Sequence, residues 1–546
     1  MVRMSAGMYR RCPILLVDAL NVKLKLTPKA LAWRRWSALY WRRMESRITR
    51  RESWLVYLLG TLVAFAILRF GFSPSSVSIH LRPEYDLNIY HLIGREWMQG
   101  SVPYLTHADL KGPLVFLLHG LGAVLSPGSF LGACLLESPL VGIGVLYAYW
   151  SARLFLPRGQ AVGVLGVYSL SILYFSLHPA ELVWVLQQVA VYYLLRWLVS
   201  GKSPGVCQNI ILGVSSGLVL LVKFNLVAFW LPFCVWGILV SRRRWWQAGL
   251  LQLGACLSVL APVLLYFHGQ GALASLWNEY VLAAMEYGGA PWASSALCTR
   301  GILLASELLP LHLHQFLPEF LAALMGWVVL VLSFLFPMRF RGRQRWCCYA
   351  VLLGAFVLLL IANYGGARCY IHYSFNFTCF GLLALLALPS GRWLNWLGAC
   401  TLSGVLIFAL GLPLAVRYMK PENGNPQMRS ASRKLAQLVS QDAVSDAIVL
   451  DVNNALHILR LSEKRLMLRH FVPTMVPGGY EQHREELACA IRTHRPRFVI
   501  GSAATRGEDE RLLQGLYSAY THQDLQLPEF PPHARRPEFI LYIREQ

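Results

Sequence analysis

Residues 82–120, RPEYDLNIYHLIGREWMQGSVPYLTHADLKGPLVFLLHG, hold two carboxylates, Glu84 and Asp86, followed by Tyr90 and His91 at the i+4 and i+5 positions from Asp86. On a helix that starts at Asp86, this spacing sets a phenol and an imidazole beside the carboxylate on one face. Such a carboxylate can take a proton from a hydroxyl as a general base. The same Asp86 also reads as a plain helix N-cap, with Trp97 and Tyr104 at a headgroup level. Farther on, Asp109 and Lys111 open a second helix in the order Asp-Leu-Lys-Gly-Pro. Proline just inside a helix start is usual grammar. A lysine at that boundary either snorkels or meets a phosphate as a point charge.

Other candidates are single residues at the ends of apolar runs. Glu181 follows His178-Pro179, and Lys223 opens a Lys-Phe-Asn turn. Arg368, His372 and Tyr373 stand in the string Gly-Gly-Ala-Arg-Cys-Tyr-Ile-His-Tyr at 365–373. Capping or snorkelling is the bland account of Glu181 and Lys223, a solvated loop charge that of Arg368, and an interfacial ring that of His372. Glu137 lies near the middle of an apolar run, where an ionisable group is costly and marks a site by default; a protonated carboxyl bonded to a neighbouring helix is its packing alternative. Asp86 with Glu181 would suit a hard cation such as Mg²⁺ or Mn²⁺, although no spacing demands one. The twelve cysteines include no CxxC pair, so a zinc or disulfide framework has no support.

The elements that must position these groups are membrane helices. Of 546 residues, 56% are hydrophobic and 14% charged, with a formal charge of +22, against about 45–50% and about 25% in soluble domains. The basic residues punctuate apolar runs instead of covering a polar face, which argues against nucleic acid as a partner. Runs near the length that crosses a bilayer occur at 54–72, 129–150, 160–177, 181–199, 208–222, 225–240, 247–267, 317–337, 347–362, 373–389 and 393–413. The expectation is an all-α polytopic membrane protein with about eleven transmembrane helices plus juxtamembrane helices. The apolar run 113–127 is shorter and broken by glycine, proline and His119. If it does not cross, twelve Lys/Arg without an acid fall in the loops on one side: Arg153, Arg158, Arg196, Lys202, Arg242–Arg244, Arg339, Arg341, Arg343, Arg345 and Arg392. The positive-inside rule makes that side the cytoplasm of a cell-membrane protein.

That orientation yields a basic cytoplasmic tail at 1–53, a transmembrane domain at 54–413 with outer loops at 73–128 and 268–316, and an outer tail at 414–546. Residues 1–53 lack the short apolar core and cleavage site of a signal peptide, and Met44 offers an alternative start. The outer tail carries 18 Lys/Arg and 15 Asp/Glu. It alternates strand-like runs (447–452, 497–502, 539–544) with helical ones (481–494, 508–520), which reads as a small extracytoplasmic α/β domain.

The ordered string Glu84-Tyr85-Asp86, Tyr90, Gly94-Arg95, Trp97, Gly100, Val102-Pro103-Tyr104, Asp109, Lys111-Gly112-Pro113, Phe116 resembles the first outer loop of the GT-C membrane glycosyltransferases. It is most similar to the bacterial branch that includes aminoarabinose and protein O-mannosyl transferases. Glu181, Lys223-Phe224-Asn225 and 365–373 are similar to shorter family features. The resemblance spans roughly 54–413. It implies a GT-C-like fold and inverting transfer of a sugar from a polyprenyl-phosphate carrier to a lipid, glycan or protein on the outer face. It also implies that Asp86, with Glu84 nearby, acts at the reaction centre, while Asp109, Lys111, Glu181, Lys223, Arg368, His372 and Tyr373 bind substrate. Two departures stand out. Glu84 and Asp86 are separated by Tyr85 instead of adjacent, and Lys-Gly-Pro replaces the Lys-Pro-Pro of some relatives. The second change is expected to matter little.

Two other classes fit the same composition. A transporter or flippase of lipid-linked glycans would show inverted repeats and midplane charge, whereas here the acids cluster towards one side. A polymerase or ligase would concentrate its polar residues in a late large loop, whereas here the early loop is richer.

Overall fold

The computed structural model describes residues 49–70, 85–169, 177–241, 244–288, 328–340, 342–364, 376–388, 391, 393–410, 426–441, 446–450, 452–469, 479–502, 506–513, 517–521, 524–525 and 539–544. Glu84, Arg368, His372 and Tyr373 lie outside them, as does the basic tail up to residue 48. Residues from Arg50 to Gln546 form one compact unit.

In chain order, the helices are α1 (Arg50–Phe70), α2 (Tyr85–Met98), α3 (Pro113–Leu125), α4 (Leu131–Arg153), α5 (Arg158–Tyr168), α6 (Pro179–Ser200) and α7 (Val206–Val222). After a 3-10 turn at Phe224–Phe229 come α8 (Trp230–Val240), α9 (Trp245–Gly269), a π-helical turn at Trp277–Leu282, α10 (Arg343–Tyr364), α11 (Thr378–Ala387) and α12 (Trp393–Leu410). Five of the described helices are long and apolar enough to cross a membrane: α1, α4, α6, α9 and residues 343–363 of α10. α3, α7, the run 224–240 and α11 are apolar but shorter.

Local sequence explains several limits. His178 is extended and Pro179 takes the first position of α6, which ends at Gly201 with φ +66, the common left-handed stop. Lys223 is extended as well, with φ −159 and ψ 96, so it separates α7 from the next helical run. α2 and α3 pack backbone to backbone, because a Cβ on Gly94 would stand 2.4 Å from Phe116 O.

The tail supplies α13 (Pro426–Ser440), β1 (Asp446–Val449), α14 (Val452–Ser462), β2 (Arg465–Leu466), α15 (Gly479–His494), β3 (Phe498–Ser502), α16 (Arg506–Leu513), β4 (Tyr517–Tyr520) and β5 (Phe539–Arg544). The sheet order is β2-β1-β3-β5-β4. β1 pairs in parallel with β2 and β3, and β5 pairs antiparallel with β3 and β4. Ile448, Val499, Ile500 and Leu541 are buried at its centre. The helix expected over 508–520 stops at Leu513. Tyr517–Tyr520 instead forms an edge strand on β5, in keeping with its Tyr-Ser-Ala-Tyr alternation.

Two sets of contacts fix the ends of the bundle. At one end, Glu52 of α1 is buried against Tyr149 and lies 3.4 Å from Arg153 Nε and 3.9 Å from Arg158 Nε. Arg153 and Arg158 are therefore paired, not uncompensated as the loop charges alone suggest. At the other end, Gly112 N–H, just before α3, donates to Val222 O at 3.0 Å. Gly128, just after α3, accepts from Arg460 of the tail, whose Nε also donates to Asn88 of α2 at 2.8 Å.

Candidate active site

The site is built on the first turn of α2 and the loop 99–112. Tyr90 O–H donates to Asp86 Oδ2 at 3.1 Å, one helical turn apart. Lys111 Nζ lies 3.8 Å from the same oxygen and 5.4 Å from the centre of the Tyr90 ring. Asp86 keeps 29% of its side chain exposed while Lys111 keeps 15%, so the carboxylate faces outwards and the ammonium lies behind it. His91 does not join this cluster. Its Nε2 meets Pro127 O at 2.6 Å, because the i+5 position turns it to the opposite flank of α2. Nor does Tyr104 sit at a surface level: it is buried, and its O–H donates to Lys111 O at 2.7 Å.

Asp109 sets the backbone of the loop. Its Oδ1 accepts from Lys111 N–H at 2.9 Å, an Asx-type turn that leads into α3. Burial pushes the Asp109 carboxyl up to about 6, with Lys111 opposing. Burial alone would pull Lys111 down, but Tyr90, Asp86 and Asp109 outweigh it and hold the ammonium well above the ordinary lysine value. Lys223, in the turn between α7 and the next helical run, reaches the same centre. Burial, then the like charge of Lys111, draws it down to about 7, and Asp86 works against them.

Gly112 makes this meeting of lysines possible. A Cβ there would stand 2.0 Å from Leu221 O and 2.8 Å from Tyr280 O–H, and its N–H is the donor to Val222 O. Lys-Pro-Pro would lose that hydrogen bond and collide with α7. The Gly-for-Pro difference is thus a requirement of this chain, contrary to the expectation that it matters little. Gly112→Ala is expected to push the loop from α7 and destabilise the protein by about 1–3 kcal/mol, the cost of an overpacked contact, with normal membrane insertion. Equal thermal unfolding midpoints for Gly112→Ala and wild type in detergent would contradict this.

Glu181 lies deeper. Its Oε2 accepts from Leu177 N–H at 2.8 Å, and its carboxyl faces that of buried Glu137 on α4. Rings link this layer to the cluster: His119 lies 5.5 Å and His178 6.3 Å from Tyr90, centre to centre. Among the described residues no group of three His, Cys, Asp or Glu could hold a metal ion. Asp86 meets Tyr90 and Lys111, while Glu181 meets Leu177 and Glu137.

Two crystal structures of ArnT from Cupriavidus metallidurans share the overall fold of this chain. The one bound to undecaprenyl phosphate matches with a TM-score of 0.56 and 13% identity, over 89% of this chain and 97% of that one. The apo form gives 0.54 and 12% over the same shares. The fold is that of ArnT. At 12–13% identity the likeness is one of fold. No family model matches the sequence, and no curated protein matches it either.

Against the ArnT-like frame, α2, the loop to α3 and the end of α7 bring together Asp86, Asp109, Lys111 and Lys223. The loop's anchors went unseen in the sequence. Tyr280 is one, its ring centre 6.2 Å from that of Tyr104 while its O–H donates to Leu220 O of α7 at 2.7 Å; His107 is another. A lone histidine and a tyrosine more than 150 residues away carry no spacing signal.

Proposed function

We propose that this protein is an integral membrane glycosyltransferase of about eleven spans, set in the cytoplasmic membrane with its N-terminus inside and the α/β tail outside. It moves a sugar from a polyprenyl-phosphate carrier to a lipid, glycan or protein acceptor. The observation that carries this reading is the cluster of one outward carboxylate backed by two lysines, in a fold that in ArnT holds undecaprenyl phosphate.

In the reaction, Asp86 takes the acceptor hydroxyl proton as that oxygen attacks the anomeric carbon, and Tyr90 O–H orients the carboxylate. The bond from the anomeric carbon to the phosphate oxygen breaks, and the polyprenyl phosphate leaves with its new negative charge facing Lys111 and Lys223. A direct displacement of this kind inverts the anomeric configuration. Asp109 and the Gly112 contact hold Lys111 in place.

The lowered value of Lys223 gives a pH test. With its pKa brought to about 7, Lys223 is neutral above that pH and charged below it. A polyprenyl phosphodiester carries one charge that does not titrate in this range. Its binding should therefore tighten as pH falls from about 8.5 to about 6, with proton uptake on binding at the upper end. Lys223→Met should flatten the curve. Isothermal titration in nanodiscs at several pH values measures both quantities, and a pH-independent wild-type affinity would exclude Lys223 from the phosphate site.

A further inference from the structure

The C-terminal sheet domain adds no side chain to the described contacts of the Asp86–Lys111 pair, yet it holds both segments that carry them. Arg95 of α2 donates to Lys464 O and Arg460 donates to Asn88. Ala108 N–H donates to Arg469 O at 2.7 Å, and Arg469 in turn bonds Glu279 Oε1 at 2.9 Å. His107 stands at the centre of this seam with 5% of its surface exposed. Its Nε2 is 2.6 Å from Glu96 Oε2 on α2, and its Nδ1 is 2.9 Å from Leu468 O in the tail. Carboxylate and carbonyl are both acceptors, so each ring nitrogen has an acceptor within hydrogen-bond distance.

The loop around His107 is closed on itself. Tyr104, at φ +66, donates its N–H to His107 O at 2.8 Å, and its O–H reaches Lys111 O at 2.7 Å. A displacement of His107 is thereby passed to Lys111 through two hydrogen bonds of one residue. We infer that His107 is a positioning residue: it uses the C-terminal domain as an anchor to fix the loop that presents Lys111 to the carrier phosphate. The tail domain then belongs to the site mechanically, although the reacting groups sit on α2 and the loop. This inference rests on the reading of Lys111 as a phosphate contact.

The test is a double-mutant cycle read on undecaprenyl phosphate binding to the full-length protein in nanodiscs. Lys111→Ala and His107→Leu should each weaken binding, His107→Leu by about tenfold, the scale of a lost hydrogen bond to a charged group. Their double variant should bind no worse than Lys111→Ala alone, because His107 acts through Lys111. Glu96→Gln, which keeps its volume, should reproduce part of the His107 loss and guards against a His107 variant that does not fold. A purely structural role would instead multiply the two losses, and that result overturns the inference. So does wild-type binding by both His107→Leu and Glu96→Gln while Lys111→Ala is weakened. Wild-type binding by Lys111→Ala itself would remove the phosphate reading, and the inference with it.

Discussion

Asp86→Asn should insert, fold and bind carrier lipid as wild type does but transfer sugar about 10²–10⁴-fold more slowly, the usual share of general acid–base catalysis. Asparagine keeps the volume and can still accept from the Tyr90 O–H that now bonds Asp86 at 3.1 Å. A purely structural Asp86 therefore predicts an active variant. The assay is turnover in proteoliposomes supplied with carrier-linked sugars from the membranes of the expression host. Glu84→Gln should be the milder change, since Asp86 meets both Lys111 and Tyr90. The reverse ranking would move the base two residues back.

Lys111→Glu should abolish most binding of undecaprenyl phosphate. Exposed ion pairs are worth only about 0–1 kcal/mol, but Lys111 is 15% exposed and sits among Tyr90, Asp86 and Asp109, where a phosphate contact is worth about 1.5–3 kcal/mol. Removing that contact alone predicts a loss of about 10- to 100-fold, and reversing the charge adds repulsion between the new carboxylate and the phosphate. Fluorescence quenching by labelled undecaprenyl phosphate measures the affinity. Wild-type affinity in Lys111→Glu would reduce Lys111 to a lysine that only supports the loop.

Short-range pattern carried much of this. The i, i+4 spacing of Asp86 and Tyr90 is a contact that any helix over 85–98 must make. Asp-Leu-Lys-Gly-Pro foretells a helix start with the ammonium at the boundary, whereas the Asx-type turn of Asp109 emerges only in the structure. The transmembrane character follows from the apolar runs, although only five described helices reach full spanning length. Pro179 starts α6, and Gly201 and the extended Lys223 end helices close to the limits 199 and 222 of the apolar runs.

What stayed hidden depends on contacts between distant segments. Lys223 stands near Lys111 because Gly112 can touch the end of α7, an encounter set by the absence of a side chain and by no periodicity. His91 looked like a partner of Asp86, but 100° per residue puts i+5 on another flank of the helix, where the 126–130 loop waits. The seam of Arg95, His107, Arg460 and Arg469 joins residues more than 350 positions apart. Each taken alone is an ordinary surface-type residue in sequence; Arg95, His107 and Arg460 are buried where the sheet domain packs on α2, while Arg469 stays 43% exposed.

The most direct measurement of the central claim is the fate of the loaded carrier. Wild-type protein in sealed proteoliposomes, given undecaprenyl phosphate-linked sugars and acceptor lipids from its host, should release free undecaprenyl phosphate as the sugar appears on an acceptor with inverted anomeric configuration. Both signals should vanish together in Asp86→Asn. Movement of intact, still-glycosylated carrier across the bilayer, with no free undecaprenyl phosphate formed, would contradict the account and make the protein a transporter.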